Sequence, residues 1–221
     1  MRWPTILFDF DGTLVDSIEL ILESYRQTMR VHRPEQDWPD DLWLKGLGTP
    51  LRVQFRHFTD DPAEVQAMIA TYREWNMANH DRMVAAYPGA VDAVRTLRAN
   101  GARMGIVTSK NLHGLQRGLN LVGMDGVFEA FVTSDSMDAS KPDPAPVLAA
   151  IRELGGDPAT AVMVGDSPHD IAAGRDAGAA TVACLWGPFT REQLEAERPD
   201  HWASDFDQLL HLCNSAADPA V

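Results

Sequence analysis

Thr5-Ile-Leu-Phe-Asp-Phe-Asp-Gly-Thr13 is the stretch that decides the fold. Four residues suited to a strand buried on both faces run straight into an acid, Asp9, and Gly12 permits the sharp turn that leads away. Two carboxylates two residues apart, Asp9 and Asp11, can face one pocket. Working outward, the same pattern recurs at residues 102–108, 127–133, 161–164 (into Gly165-Asp166) and 180–185. Short apolar runs that alternate with helix-like segments predict an α/β protein with a doubly wound parallel sheet, covered on both faces.

Between the first run and the second lies far more chain than one crossover helix needs. It carries helical patterns of its own at residues 16–33, 40–45 and 62–80, separated by loops rich in Pro, Gly and Asp. The expected organisation is therefore a core made of residues 1–14 and 85–221, with a small α-helical domain inserted at 15–84. Tyr87-Pro88-Gly89 marks the return to the core, and residues 215–221 are expected to fray.

The 221 residues hold 32 acidic against 19 basic side chains, a net charge of −13. Such a field repels nucleic acid and anionic membranes. It also repels a small phosphate ester, so a site for one must supply positive charge from a metal ion or from particular lysines. The two cysteines, Cys184 and Cys213, form no ligand or redox pattern. Ile6-Leu-Phe8 is cut off by Asp9 far short of a signal-peptide core, and cytoplasm is the expected location.

In an open parallel sheet, ligands sit beyond the carboxyl ends of the strands near the point where strand order reverses. Four such places carry chemistry here: Asp9 and Asp11, then Thr108-Ser109, then Lys141, then Asp166 with Asp170. Asp9-Phe-Asp-Gly-Thr-Leu-Val-Asp-Ser17 resembles the first motif of the haloacid dehalogenase-like hydrolase superfamily. Thr108-Ser-Lys110, Lys141-Pro-Asp-Pro144 and Gly165-Asp-Ser-Pro-His-Asp170 resemble the second, third and fourth in order and spacing. The resemblance implies a Rossmann-like core, a helical cap that reads the leaving group, and a magnesium ion.

A carboxylate attacking a metal-polarised phosphoryl group can form a covalent intermediate, which makes Asp9 the expected nucleophile. Asp11, expected to be crowded by other carboxylates and so to hold a proton more tightly, suits the general acid/base. Asp166 is the expected metal ligand beside Asp9. The family likeness adds the backbone carbonyl of Asp11, and Asp170. Thr108 and Ser109 would hold phosphate oxygens, and Lys141 would neutralise charge on the transferring group.

In the insert, Gly46-Leu-Gly-Thr-Pro50 is expected to offer free backbone N–H groups to an anion, with Lys45 and Arg52 reading substrate. Asp11 disfavours the dehalogenase and phosphonoacetaldehyde branches. The core looks most like phosphoglycolate phosphatases and the related bacterial pyrophosphatases. The expected activity is hydrolysis of a small phosphorylated metabolite, phosphoglycolate first, by a monomer or homodimer. Pyrophosphate hydrolysis, a β-phosphoglucomutase-like transfer, and a non-catalytic binding module on the same fold are the alternatives.

Overall fold

The computed structural model describes residues 1–215. In chain order the elements are β1 Thr5–Phe8, β2 Val15–Asp16, α1 Ile18–His32, α2 Asp40–Leu44, α3 Leu51–Phe55, α4 Pro62–Met83, β3 Ala85–Ala86, α5 Ala90–Ala99 and β4 Arg103–Val107. There follow α6 Leu112–Leu121, β5 Ala130–Val132, α7 Ala145–Glu153, β6 Ala161–Gly165, α8 Pro168–Asp176, β7 Ala180–Cys184, α9 Arg191–Glu195, β8 His201–Ala203 and α10 Phe206–Asn214. The expected fraying at 216–221 lies outside the described residues, and among those described no helix is long and apolar enough to cross a membrane.

Six strands form one parallel sheet in the order β5-β4-β1-β6-β7-β8. β1 lies between β4 and β6, with Thr5 opposite both Arg103 and Ala161. The chain winds outward from β1 in one direction and then, from β6, in the other, so strand order reverses beside Asp9. Strand periodicity explains why both faces are covered. Ile6 and Phe8 point into one apolar cluster with Met104, Ile106, Val162 and Val164, whereas Leu7 points into the other with Val107 and Met163. Ile6, Leu7 and Phe8 are wholly buried, and each contributes about 1.5–3 kcal/mol by leaving water.

The inserted helices have a core of their own. Ile21, Leu22, Tyr25 and Met29 form one stripe of α1 and share a cluster with Val65, Met68, Ile69 and Tyr72 of α4. Trp43 sits among them, its ring 4.8 Å from Tyr25 and 4.9 Å from Phe55. α4 starts where it does because the Asp61 carboxylate accepts the Ala63 N–H at 2.9 Å and Pro62 occupies the first turn. Where the chain leaves and re-enters the core, β2 and β3 pair antiparallel, Val15 with Ala86 and Asp16 with Ala85.

Three features differ from expectation. β5 is shorter than the run at 127–133, because Val127 and Phe128 are buried from a turn rather than a ladder. α3 and β8 were not anticipated: one is a five-residue helix and the other a three-residue strand, too short for either periodicity to register. Cys184 and Cys213 are buried free thiols, and burial pushes the Cys213 thiol up to about 12.

Candidate active site

The carboxyl end of β1 delivers Asp9 into the gap between β4 and β6, its N–H donating to the Val164 carbonyl at 3.0 Å. Gly12 then turns the chain at φ +86°; a Cβ there would lie 2.5 Å from Asp166 Oδ2. That approach lets the Thr13 hydroxyl donate to Asp166 Oδ1 at 2.6 Å. After β6 the chain passes through Asp166 into α8, whose capping box joins Ser167 to Asp170. Asp9, Asp166 and Asp170 thereby form a buried cluster whose ligand oxygens lie within 4.8 Å of one another.

One cation reaches them. Lys141 Nζ lies 3.0 Å from Asp9 Oδ1 and 2.5 Å from Asp170 Oδ1, and donates to the Val107 carbonyl at 2.8 Å. The other oxygen of Asp170 accepts the Ser167 N–H at 3.0 Å and hydroxyl at 2.6 Å, which fixes the carboxylate in place. Three buried carboxylates against one ammonium leave a formal charge of −2 (3 − 1), which is costly in a low-dielectric interior. Burial, opposed by Lys141 and assisted by Asp170, raises Asp9 to about 7. Burial and the Asp170 and Asp9 charges hold Asp166 well above the usual carboxylate range. Burial alone would depress the Lys141 ammonium, but Asp170 and Asp9 hold its pKa above the ordinary value. An all-oxygen donor set with uncompensated negative charge fits a hard divalent cation such as magnesium.

Above Asp9 opens a cavity of about 380 Å³ between the sheet and the inserted helices. The sheet side supplies Asp9, Asp11, Thr108, Ser109 and Lys110. The expected nucleophile, acid/base and phosphate-binding residues are thus brought to one place, with Lys141 reaching Asp9 from beneath. Lys110 was missed as a site residue, although it stands inside the second motif. Its Nζ lies 2.9 Å from Asp11 Oδ1, and the Ser17 hydroxyl donates to the same oxygen at 2.6 Å. The expected crowding of Asp11 by carboxylates therefore needs correcting: its side chain meets a lysine and a hydroxyl directly, and its charge reaches the buried cluster only through Asp9.

The insert departs further from expectation. Gly46, Leu47 and Thr49 donate their N–H groups to the Trp43, Leu44 and Gly46 carbonyls, so that loop does not present those three donors to an anion. It closes on the core instead, with Gly48 at φ +94° and a hypothetical Cβ 3.1 Å from Ser167 Oγ. Lys45 is exposed and does not line the cavity. Arg52 does line it, and its Nη2 donates to the Asp138 carbonyl across the insert–core boundary. Trp186 is not in the cavity wall; its Nε1 donates to the Thr13 carbonyl at 2.9 Å, bracing the turn that carries Thr13 to Asp166.

Comparison with known proteins places these residues in context. The family model for haloacid dehalogenase-like hydrolases matches residues 6–184. Over 212 residues the chain is 39% identical to the pyrophosphatase PpaX of Anoxybacillus flavithermus, an overlap of 96% of this chain and 97% of that one. Among solved structures, a hydrolase from Pseudomonas syringae superposes with a TM-score of 0.87 at 22% identity, covering 96% of this chain and 99% of that one. A predicted phosphoglycolate phosphatase from Haemophilus somnus gives 0.86 at 24%, with coverage of 96% and 98%. At these identities the two structures speak for the fold alone.

Proposed function

This chain belongs to the haloacid dehalogenase-like hydrolases, and from that premise we propose a magnesium-dependent phosphatase that forms an aspartyl phosphate on Asp9, with inorganic pyrophosphate as first substrate. The observation that carries the mechanism is the buried group of Asp9, Lys141, Asp166 and Asp170 beneath a cavity that also holds Asp11, Thr108 and Ser109. Similarity to the pyrophosphatase along nearly the whole of both chains supports the substrate, and phosphoglycolate, implied by the core motifs, ranks second. Residues 15–84 are proposed to act as the cap, with the β2–β3 pair at its root.

Asp9, Asp166, the Asp11 carbonyl and Asp170 would hold magnesium, which when bound polarises the phosphoryl oxygens and offsets the −2 charge. An Asp9 carboxylate oxygen attacks phosphorus as the bond to the leaving oxygen breaks. Asp11 gives that oxygen its proton, and Lys110, already bonded to Asp11, stabilises the carboxylate left behind. Water then attacks the aspartyl phosphate, Asp11 takes its proton, and orthophosphate leaves with Asp9 restored. Thr108 and Ser109 hold phosphoryl oxygens, while Lys141 balances charge beside the reacting carboxylate.

The test is phosphate release from pyrophosphate, phosphoglycolate, sugar phosphates and nucleotides, with magnesium and with a chelator. Magnesium-dependent release led by pyrophosphate supports the reading. Release led by phosphoglycolate moves it to the second substrate, interconversion of glucose phosphates to the mutase alternative, and a silent panel to the binding module.

Metal binding also has a pH signature independent of turnover. Metal-free, Asp9 titrates near 7 in the folded chain against about 3.9 unfolded. The native state then binds more protons between those values, and this group's contribution to stability falls as pH rises through that window. Magnesium competes with those protons. The rise in Tm on adding magnesium should therefore grow from about pH 5 to about pH 8, and a pH-independent rise by differential scanning fluorimetry would count against this site.

A further inference from the structure

Two arginines of the cavity wall, Arg52 and Arg73, have no part in the mechanism above, and among the described residues Arg73 is the one without a partner. Gln66, Ile69, Arg73, Asn76 and Met77 of α4 line the cavity at three- and four-residue spacing, so a single stripe of that helix faces it. Arg73 is the only arginine or lysine of the stripe. The residues three and four positions away on either side are Ile69, Ala70, Asn76 and Met77, none of them acidic.

The other lysine and arginine side chains that line the cavity have partners, as do several in the insert, while Lys45 and Arg56, which likewise hold none among the described residues, lie outside the cavity. Arg26 holds Glu19, Glu23 and Asp40, Arg33 holds Glu64, Arg52 holds the Asp138 carbonyl, and Lys110 holds Asp11. Among the described residues Arg73 has no hydrogen-bond or ion-pair partner, in a chain of net charge −13 where carboxylates are plentiful. Each lining carboxylate already has a partner of its own: Asp9 is held by Lys141, Asp11 by Lys110 and Ser17, and Asp135 accepts the Leu112 N–H at 2.9 Å. The space suits more than one phosphate. A cavity of about 380 Å³ equals the liquid volume of roughly a dozen waters at ~30 Å³ each.

We propose that Arg73 binds a second anionic group of the substrate, so that the compounds this enzyme takes carry negative charge on the leaving group, a diphosphate foremost. The inference rests on the reading of the Asp9 end as the phosphoryl site. A guanidinium offers two parallel N–H donors that match two oxygens of a phosphate, and no carboxylate must be displaced before it can do so. Esters of uncharged alcohols, sugar phosphates among them, gain nothing from this contact. Arg73 is a specificity residue rather than a catalytic one.

The test compares wild type with Arg73→Gln, a change on an exposed helix position that keeps a polar, helix-compatible side chain and removes the charge. Binding of methylenediphosphonate and of orthophosphate is measured by titration calorimetry with magnesium, beside turnover of para-nitrophenyl phosphate. The expected result is a diphosphonate affinity roughly ten- to a hundred-fold weaker in the variant, with orthophosphate affinity moved far less. Equal weakening of both ligands, or an unchanged diphosphonate affinity, overturns the proposal. Failure of wild type to bind diphosphonate while it turns over para-nitrophenyl phosphate also overturns it, and leaves the phosphatase reading standing. Selective loss of diphosphonate binding in a protein that hydrolyses nothing would sustain Arg73 and overturn the hydrolytic reading instead.

Discussion

Asp9→Asn leaves a folded protein whose turnover is lower by at least about 10⁴-fold, since the amide cannot form the aspartyl phosphate and deletion of a nucleophile removes the whole two-step route. The structure adds an expectation about stability of the opposite sign. Asp9 is buried and its proton affinity is raised, first by burial and then by Asp170, so its ionised form opposes folding above its unfolded pKa. Asparagine has the same shape without the charge, and Lys141 keeps Asp170 and the Val107 carbonyl. In chelator at pH 8 the variant should melt no lower than wild type, and its magnesium-induced rise in Tm should shrink. A folded Asp9→Asn protein with wild-type rates would remove Asp9 from the nucleophile position.

Lys141→Ala lowers both activity and stability. It strips the counter-charge from Asp9 and Asp170, and breaking a buried pair from one side costs about 3–5 kcal/mol because the partner stays buried and unpaired. Loss of a cation beside the developing charge is expected to lower kcat about 10²- to 10³-fold. Lys141→Met combined with Asp170→Asn removes one of the two stranded charges together with the lysine and bears on stability, since Asp170 is itself a proposed magnesium ligand. The double variant should recover Tm over Lys141→Ala without recovering turnover. Recovery of both would make Lys141 a structural residue alone, and a Lys141→Ala protein with wild-type rates would make it an ordinary loop lysine.

Much of the site was legible in the chain because its residues follow strands that are legible. Asp9, Thr108 and Asp166 each stand just beyond a run of buried residues, Lys141 lies in the loop between β5 and α7, and the carboxyl ends of parallel strands converge near the point where strand order reverses. The insert was less transparent. Lys45 and Arg52 looked alike as cations flanking a glycine-rich loop, yet one lies exposed outside the cavity and the other holds a backbone carbonyl of the core. Arg73 drew no notice, because a lone arginine in a long helix carries no local signal of which face it occupies. Its spacing from Gln66, Ile69 and Met77 acquires meaning only once that face is known to border the cavity.

By itself the sequence determined the α/β class, the buried first strand Thr5–Phe8, the helices between that strand and the next, and the candidate loops, since burial periodicity, helix caps and turn glycines are set by neighbours a few residues apart. Only the tertiary structure decided the pairings. Thr13 meets Asp166 across 153 residues, Lys110 meets Asp11 across 99, and Lys141 meets Asp170 across 29. Each depends on strand register and on the angle at which a loop leaves the sheet. A side chain's protonation and choice of partner follow from the charges that register brings within reach, and those lie beyond the range of local pattern.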